Sequence, residues 1–195
     1  YIDSKKITTV DIDEFTTVII NNEDIKHNDK WVFGDESELG VYKKIKTNTV
    51  LLDDIADCKQ GILTGYDKAF VIEKSNELDL PDENLKPWLK VGDVFKYYFE
   101  IREDRKLIYP NEIKNVSLYP KFIQHLDKFK ERLENRTEVK QGNYRWFDLH
   151  RSRESKLFDS DKLICRYKAS QNTFALDTNK YYSSADTTIV VVKKE

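Results

Sequence analysis

The sequence predicts an α+β fold, with small mixed or antiparallel sheets and a few packed helices, and three observations carry that reading. TTIVVV (Thr187–Val192) and KLICRYKA (Lys162–Ala169) are runs of β-branched and apolar strand formers. Phe122, Leu126, Phe129 and Leu133 recur at helical spacing. Strands and helices do not alternate in the βαβ order of a parallel sheet. A chain of 195 residues has room for one sizeable core, or for one domain and a connecting arm, and its three Trp, eleven Tyr and ten Phe argue against disorder.

In chain order, Ile7–Ile12 alternates ahead of FTTVII (Phe15–Ile20), and Asn21-Asn22 closes what resembles a terminal hairpin. Polar and acidic residues around Trp31 make 22–35 a connector. In ESELGVYKKIK (Glu36–Lys46), Leu39, Tyr42 and Ile45 fall three apart, which predicts a short amphipathic helix weakened by Gly40. The mixed apolar run from Val50 enters a loop with Gly61 and Gly65 and leaves through a strand at Ala69–Ile72. Tyr66 follows Gly65 where a P-loop needs Lys and Ser or Thr opening a helix, so no nucleotide cradle is expected.

Pro81 and Pro87 make Leu80–Trp88 turn-rich, and Lys106–Tyr109 reads as a strand stopped by Pro110. One helix is expected to start near Pro120 and carry the apolar stripe through Leu133. Asn135–Asn143 reads as a loop. Thr173–Leu176 is a further strand, and Asp177–Lys180 turns the chain into Tyr181-Tyr182 and the closing strand Thr187–Val192.

Net charge is only −2, which excludes a uniformly basic nucleic-acid binder, but the charge is unevenly placed. Residues 1–57 carry 13 acidic and 7 basic side chains, a balance of −6, which leaves +4 for residues 58–195. A polyanion would meet the second part. Cys58 and Cys165, with His27, His125 and His150 scattered singly, show no zinc-ligand spacing, so both cysteines read as small apolar residues beside strands. This usage suits an intracellular, reducing, hence cytoplasmic, setting. No apolar run approaches the roughly 20 residues that span a bilayer, so no membrane partner is expected. The chain begins at Tyr1 without any methionine, so an excerpt from a longer protein is expected.

One stretch mixes cations, aromatics and amides more densely than any other: NYRWFDLHRSRESKLFDSDKLICRYKASQN, Asn143–Asn172. Its lysines and arginines can neutralise phosphates, and Tyr144, Trp146, Tyr167 and Asn172 can brace sugars or touch base edges. The alternative is a solvated charged loop capping a strand.

Here the blocks DIADCKQGILTGYDKAFVI (54–72), ENLKPWLKVGDV (83–94), KLIYP (106–110), YPKFIQHLDKFKERLENR (119–136), YRWFDLHRSR (144–153) and KLICRYKASQNTFALDTNKYYSSAD (162–186) stand in an order that resembles the target-recognition family named for the C-terminal specificity domain of the TaqI DNA methyltransferase. The resemblance covers about residues 47–195, as a DNA target-recognition domain. It implies that 1–46 are the end of a preceding methyltransferase-like domain plus a connector, residues 1–30 resembling its closing hairpin. It further implies double-stranded DNA and a catalytic domain of the same parent chain as partners, with S-adenosylmethionine serving adenine-N6 methylation in the parent and Mg²⁺ if a nuclease is fused. The Asn/Asp-Pro-Pro-aromatic loop that holds a flipped adenine is missing, because Pro81, Pro87, Pro110 and Pro120 are all isolated, so no catalytic residue and no cofactor is expected in this chain.

Under that resemblance Gln60, Thr64, Arg145, Arg151, Arg153, Ser170, Gln171 and Asn172 are the base readers expected here, since arginine pairs with guanine and glutamine or asparagine with adenine in bidentate fashion. Lys59, Lys68, Lys156, Arg166 and Lys168 are expected on phosphates. Trp146 and Phe147 are expected to pack beneath the loop, and His150 to make a loop hydrogen bond. Two rivals come from other classes. Pro81-Asp82 with Glu112-Ile113-Lys114 superficially fits a Mg²⁺-dependent nuclease, and the aromatic residues could form the hot spot of a protein-interaction module.

Overall fold

A computed structural model describes residues 34–47, 49–73 and 78–193. The chain divides between Leu51 and Leu52 into two compact units, each taken by itself. The expected N-terminal hairpin and the connector up to residue 33 lie outside the described residues.

In the first unit the described element is α1 (Glu36–Lys46). Asp35 caps it: its carboxylate accepts from the Glu38 amide at 2.9 Å, and Glu38 accepts in return from the Asp35 amide at 3.0 Å. Glu36 and Glu38 in the first turn, and Lys43, Lys44 and Lys46 in the last, suit the helix dipole. These terms hold the helix across Gly40 with no buried residue of its own.

The second unit is α+β, built on two four-stranded sheets. The first has the order β1 (Ala56–Gln60), β8 (Thr187–Val192), β5 (Lys162–Arg166), β6 (Ala175–Asp177), all antiparallel. The second runs β2 (Val71–Ile72), β4 (Lys106–Ile108), β3 (Leu85–Leu89), β7 (Tyr182–Ser183), antiparallel except for the parallel β3–β7 pair. Ile62, Phe70, Trp88, Leu107, Phe122, Leu126, Leu133, Phe158, Tyr182 and Ile189 form one core shared by both sheets and the helices. No helix among the described residues is long and apolar enough to cross a membrane.

Several expectations are corrected. The run from Val50 forms a turn of helix, α2 (Leu52–Ile55), and then β1, an edge strand whose ADCKQ buries only Ala56. Cys58 lies exposed on that edge instead of packing as a small apolar residue. Ala69–Ile72 is not one strand. Asp67 accepts the Thr64 hydroxyl at 2.6 Å and opens α3 (Asp67–Phe70), and only Val71 and Ile72 reach β4. Leu80–Trp88 contains strand β3 as well as a 3-10 turn at Asp82–Asn84, because Pro87, which lacks an N–H, occupies the last rung of the β3–β4 ladder opposite Lys106.

The expected single helix is two, α4 (Pro120–Asp127) and α5 (Lys130–Glu134). The Phe129 amide turns back to Leu126 O at 2.8 Å, and its ring then meets Tyr66 and His125 edge-on at 5.6 and 5.7 Å. The break thus seats the helices against the glycine loop. Asn135–Asn143 is partly helical, with α6 (Thr137–Lys140), and β5 ends at Arg166, short of Ala169.

At Gly61 the chain leaving β1 is bonded to strands of both sheets. Its amide donates to Thr187 O at 3.1 Å and the next amide, Ile62, to Ser183 O at 2.8 Å, so a Cβ at Gly61 would overlap the Ser183 and Ser184 carbonyls. Gly61→Ala is expected to cost about 1–3 kcal/mol, read as a lowered urea midpoint, because backbone rather than a flexible side chain must move.

Candidate nucleic-acid interface

Gln60 on β1 and Arg166 on β5 flank the start of β8, opposite Thr188 and Thr187 respectively, so both strands end at one end of the first sheet. The glycine loop leaves β1 there. Leu63 and Arg151 exchange backbone hydrogen bonds (3.2 and 2.9 Å), and His150 N donates to Thr64 O at 3.3 Å. Gly65, at φ 82°, admits this approach, since a Cβ would lie 2.9 Å from that of His150. Two segments ninety residues apart in sequence are thus joined, and Arg153 Nε completes the junction by donating to Gln60 O at 3.0 Å.

Beside this junction lies a groove of about 590 Å³ between β1 and α7 (Ser155–Asp159). Lys59, Arg153 and Lys156 line it together with the carboxylates of Asp57 and Glu154. Its floor is fixed from below: Tyr109, 3% exposed, donates its hydroxyl to the Arg153 carbonyl. Burial, with Glu112 adding to it, pushes that phenol up to about 12, so it stays a donor at neutral pH.

The β5–β6 loop rises from the same end of the sheet. Thr173 Oγ accepts from the Arg166 amide at 3.0 Å and closes its foot, leaving Lys168, Ser170, Gln171 and Asn172 exposed. Lys68 is exposed on α3. Arg151 is exposed, and no hydrogen bond or ion pair engages its side chain among the described residues.

Other candidates are engaged by the protein itself. Arg145 donates to both Asp148 oxygens and to the carbonyls of Ile113 (2.6 Å), Asn111 and Pro110, with Phe147 under its guanidinium at 4.5 Å. Thr64 is 4% exposed. Arg166 Nε is bound to Val94 O at 2.7 Å, and its guanidinium covers Phe95 at 5.1 Å. The dense stretch Asn143–Asn172 is therefore not one surface. Phe147, Asp148 and Leu149 turn inward, held by Arg136, which donates to Trp146 O at 2.7 Å and Asp148 O at 2.9 Å. Phe147 packs as expected, and His150 adds a 3.3 Å contact to Glu138.

The nuclease-like residues fall near a second cleft. Glu112 and Lys114 share a cleft of about 440 Å³ with Glu83, while Asp82 is absent from its lining. Among the described residues no group of three His, Cys, Asp or Glu side chains could hold a metal ion.

Sequence reasoning passed over Phe95–Phe99. Tyr97 and Tyr98 are 79% and 59% exposed, and the Tyr97 amide donates to Phe174 O at 2.9 Å, at the foot of the β5–β6 loop. The signal was an aromatic doublet preceded by Lys96 in a run with no helical or strand periodicity.

No protein-family model matches the chain. The chain is similar to the type II methyltransferase M.MjaIV of Methanocaldococcus jannaschii, 31% identical over 114 residues that cover 55% of this chain and 37% of the relative. It spans little more than a third of that relative's length. In fold it is similar to the type IIL restriction-modification enzyme MmeI, solved in complex with DNA, with a TM-score of 0.54 and 11% identity over 74% of this chain and 20% of that one. By sequence the likeness is to part of a type II methyltransferase, and by fold to part of a type IIL restriction-modification enzyme.

Proposed function

We propose that the chain is a duplex-DNA target-recognition module of the TaqI-like specificity type. It would position an adenine for S-adenosylmethionine-dependent N6 methylation by a catalytic domain elsewhere in the same protein. The observation that carries this reading is the junction of the glycine loop with the Arg151–Lys156 leg, which gathers Lys59, Arg151, Arg153 and Lys156 at one sheet end, beside the exposed Lys168–Asn172 loop. Cations over a groove hold phosphates, and amide and guanidinium groups on exposed loops read base edges. In this reading the chain's part is to bind and orient DNA, and S-adenosylmethionine would be held by the proposed catalytic domain.

Within this reading the candidates sort by freedom. Arg151, Gln171 and Asn172 are free to reach bases, and Lys59, Lys156 and Lys168 to reach phosphates. Arg145 and Thr64 shape the loops that present them.

Arg151→Ala is expected to cost about 1–3 kcal/mol on the preferred duplex and to relax preference at one base pair. Arg153, tied to the groove through Gln60, is expected on a phosphate. Its alanine variant should weaken all duplexes alike and lower the salt slope by about one. Binding of both variants to preferred, singly substituted and random duplexes over a range of salt checks this. Wild-type affinity, discrimination and slope in both would remove the groove from consideration as a DNA face.

A further inference from the structure

The hairpin that carries Tyr97 is built more firmly than an exposed surface loop requires. Asp93 pairs with Arg105 where both side chains are mostly buried (13% and 9% exposed), and it also accepts from the Lys90 amide at 2.6 Å. Val94 bridges Phe99, Phe95 N donates to Tyr98 O at 3.0 Å, and Glu100 N to Asp93 O at 2.8 Å. The Tyr98 ring lies flat on Phe95, centroids 5.0 Å apart and planes 7° from parallel, with the Arg166 guanidinium also over Phe95.

This frame holds Tyr97 at φ 77°, a left-handed and strained backbone that an aromatic residue rarely adopts. The bond from its amide to Phe174 O keeps it there. The ring so presented is 79% exposed, and the group recorded over it is the Lys96 ammonium, 5.0 Å from the centroid. Strain of this kind persists only where the surroundings over-determine it, and while Val94 and Phe99 on either side of the turn pack into a small core cluster, the Tyr97 ring itself belongs to none. What it achieves is to hold one large flat ring clear of the surface, next to the foot of a loop bearing Lys168, Gln171 and Asn172.

We propose that Tyr97 is a wedge that enters a base step of bound duplex DNA, with Lys96 and Lys168 holding the flanking phosphates. The inference rests on the DNA-recognition reading above. An exposed aromatic ring on a fixed backbone, with a lysine over it and a lysine-bearing loop joined at its foot, matches a duplex, which offers apolar stacked faces between two lines of phosphate. A protein hot spot instead calls for a desolvated apolar pocket, and the rim here is cationic and amide-bearing. Insertion costs least at pyrimidine–purine steps, so the wedge selects sequence through deformability at a position whose base edges no side chain needs to touch.

The test begins with a random-sequence duplex pool enriched on the full, unaltered chain. The enriched duplex then carries 2-aminopurine at successive positions, and thymine reactivity to permanganate is read in parallel. One unstacked step, at TA or CA/TG, is expected with the unaltered chain and with Tyr97→Phe. Tyr97→Asn, a residue that tolerates the left-handed backbone, should silence that signal and bind about tenfold more weakly. Its circular dichroism and salt slope should stay unchanged. Unaltered signal and affinity in Tyr97→Asn overturn the wedge and leave the DNA reading standing. Failure of the unaltered chain to bind or enrich any duplex removes the DNA reading, and the wedge with it.

Discussion

Asp177→Ala is expected to destabilise the second unit by about 3–5 kcal/mol, visible as a large drop in urea midpoint. Lys162 Nζ lies 2.6 Å from Asp177 Oδ2 across a rung of the β5–β6 ladder, and both side chains are fully buried. The ammonium also donates to Phe158 O at 2.6 Å, and the Asp177 carboxylate accepts from the amides of Asn179 (2.8 Å) and Tyr181 (2.9 Å). Removing the carboxylate leaves a buried cation with one neutral acceptor and two turn amides with none. Replacing both partners, Lys162→Met with Asp177→Leu, should recover only part of the loss, because the amides stay unsatisfied.

The pH dependence follows from the same pair. Burial pulls the Lys162 ammonium below its ordinary value of 10.5, and Asp177 opposes that pull. In Asp177→Ala the opposition is gone. A lysine whose folded value is depressed binds fewer protons when folded than when unfolded, so stability rises with pH between the folded value and the ordinary one. The variant's deficit is therefore largest at neutral pH and narrows toward pH 10.

Leu126→Ala is expected to cost about 2–5 kcal/mol, with duplex discrimination retained at low temperature. Phe122, Leu126 and Leu133 are all 0% exposed, on two helices whose break at Phe129 directs them into one core. The site has little room to collapse, since Phe122 shares the helix and Leu133 follows the break. An unchanged urea midpoint accompanied by lost binding would instead make this stripe a docking face.

Some of this fold is legible in the residue pattern because burial dictates composition. The run Thr187–Val192 is apolar and β-branched since β8 lies between β1 and β5, and Phe122 and Leu126 repeat because one helical face is dry. β1 is illegible for the opposite reason: an edge strand that buries only Ala56 leaves Asp57, Cys58, Lys59 and Gln60 free of any hydrophobic period. Pro87 concealed β3, because a proline at the last rung of a ladder looks the same in sequence as one in a turn. The cations were visible as a group but their employment was not. Arg145 is spent on carbonyls at Pro110–Ile113 and Arg166 on Val94, partners that only the chain path brings near. Arg151, two residues from Arg153, stays free while Arg153 is tied to Gln60. Tyr97 escaped notice because its distinguishing property is a backbone angle.

The segment from Tyr182 to Thr187 belongs to both sheets in succession, pairing first with β3 and then entering β8 between β1 and β5. During synthesis these residues leave the ribosome after every strand they must join. Until they arrive, β1 and β5 have no neighbour in common and the glycine loop has no Ser183 carbonyl to bind. A chain cut before Tyr182 is therefore expected to leave β1 and β5 without the strand that joins them and to lose the cooperative urea transition of the second unit, because long-range pairing joins its sheets.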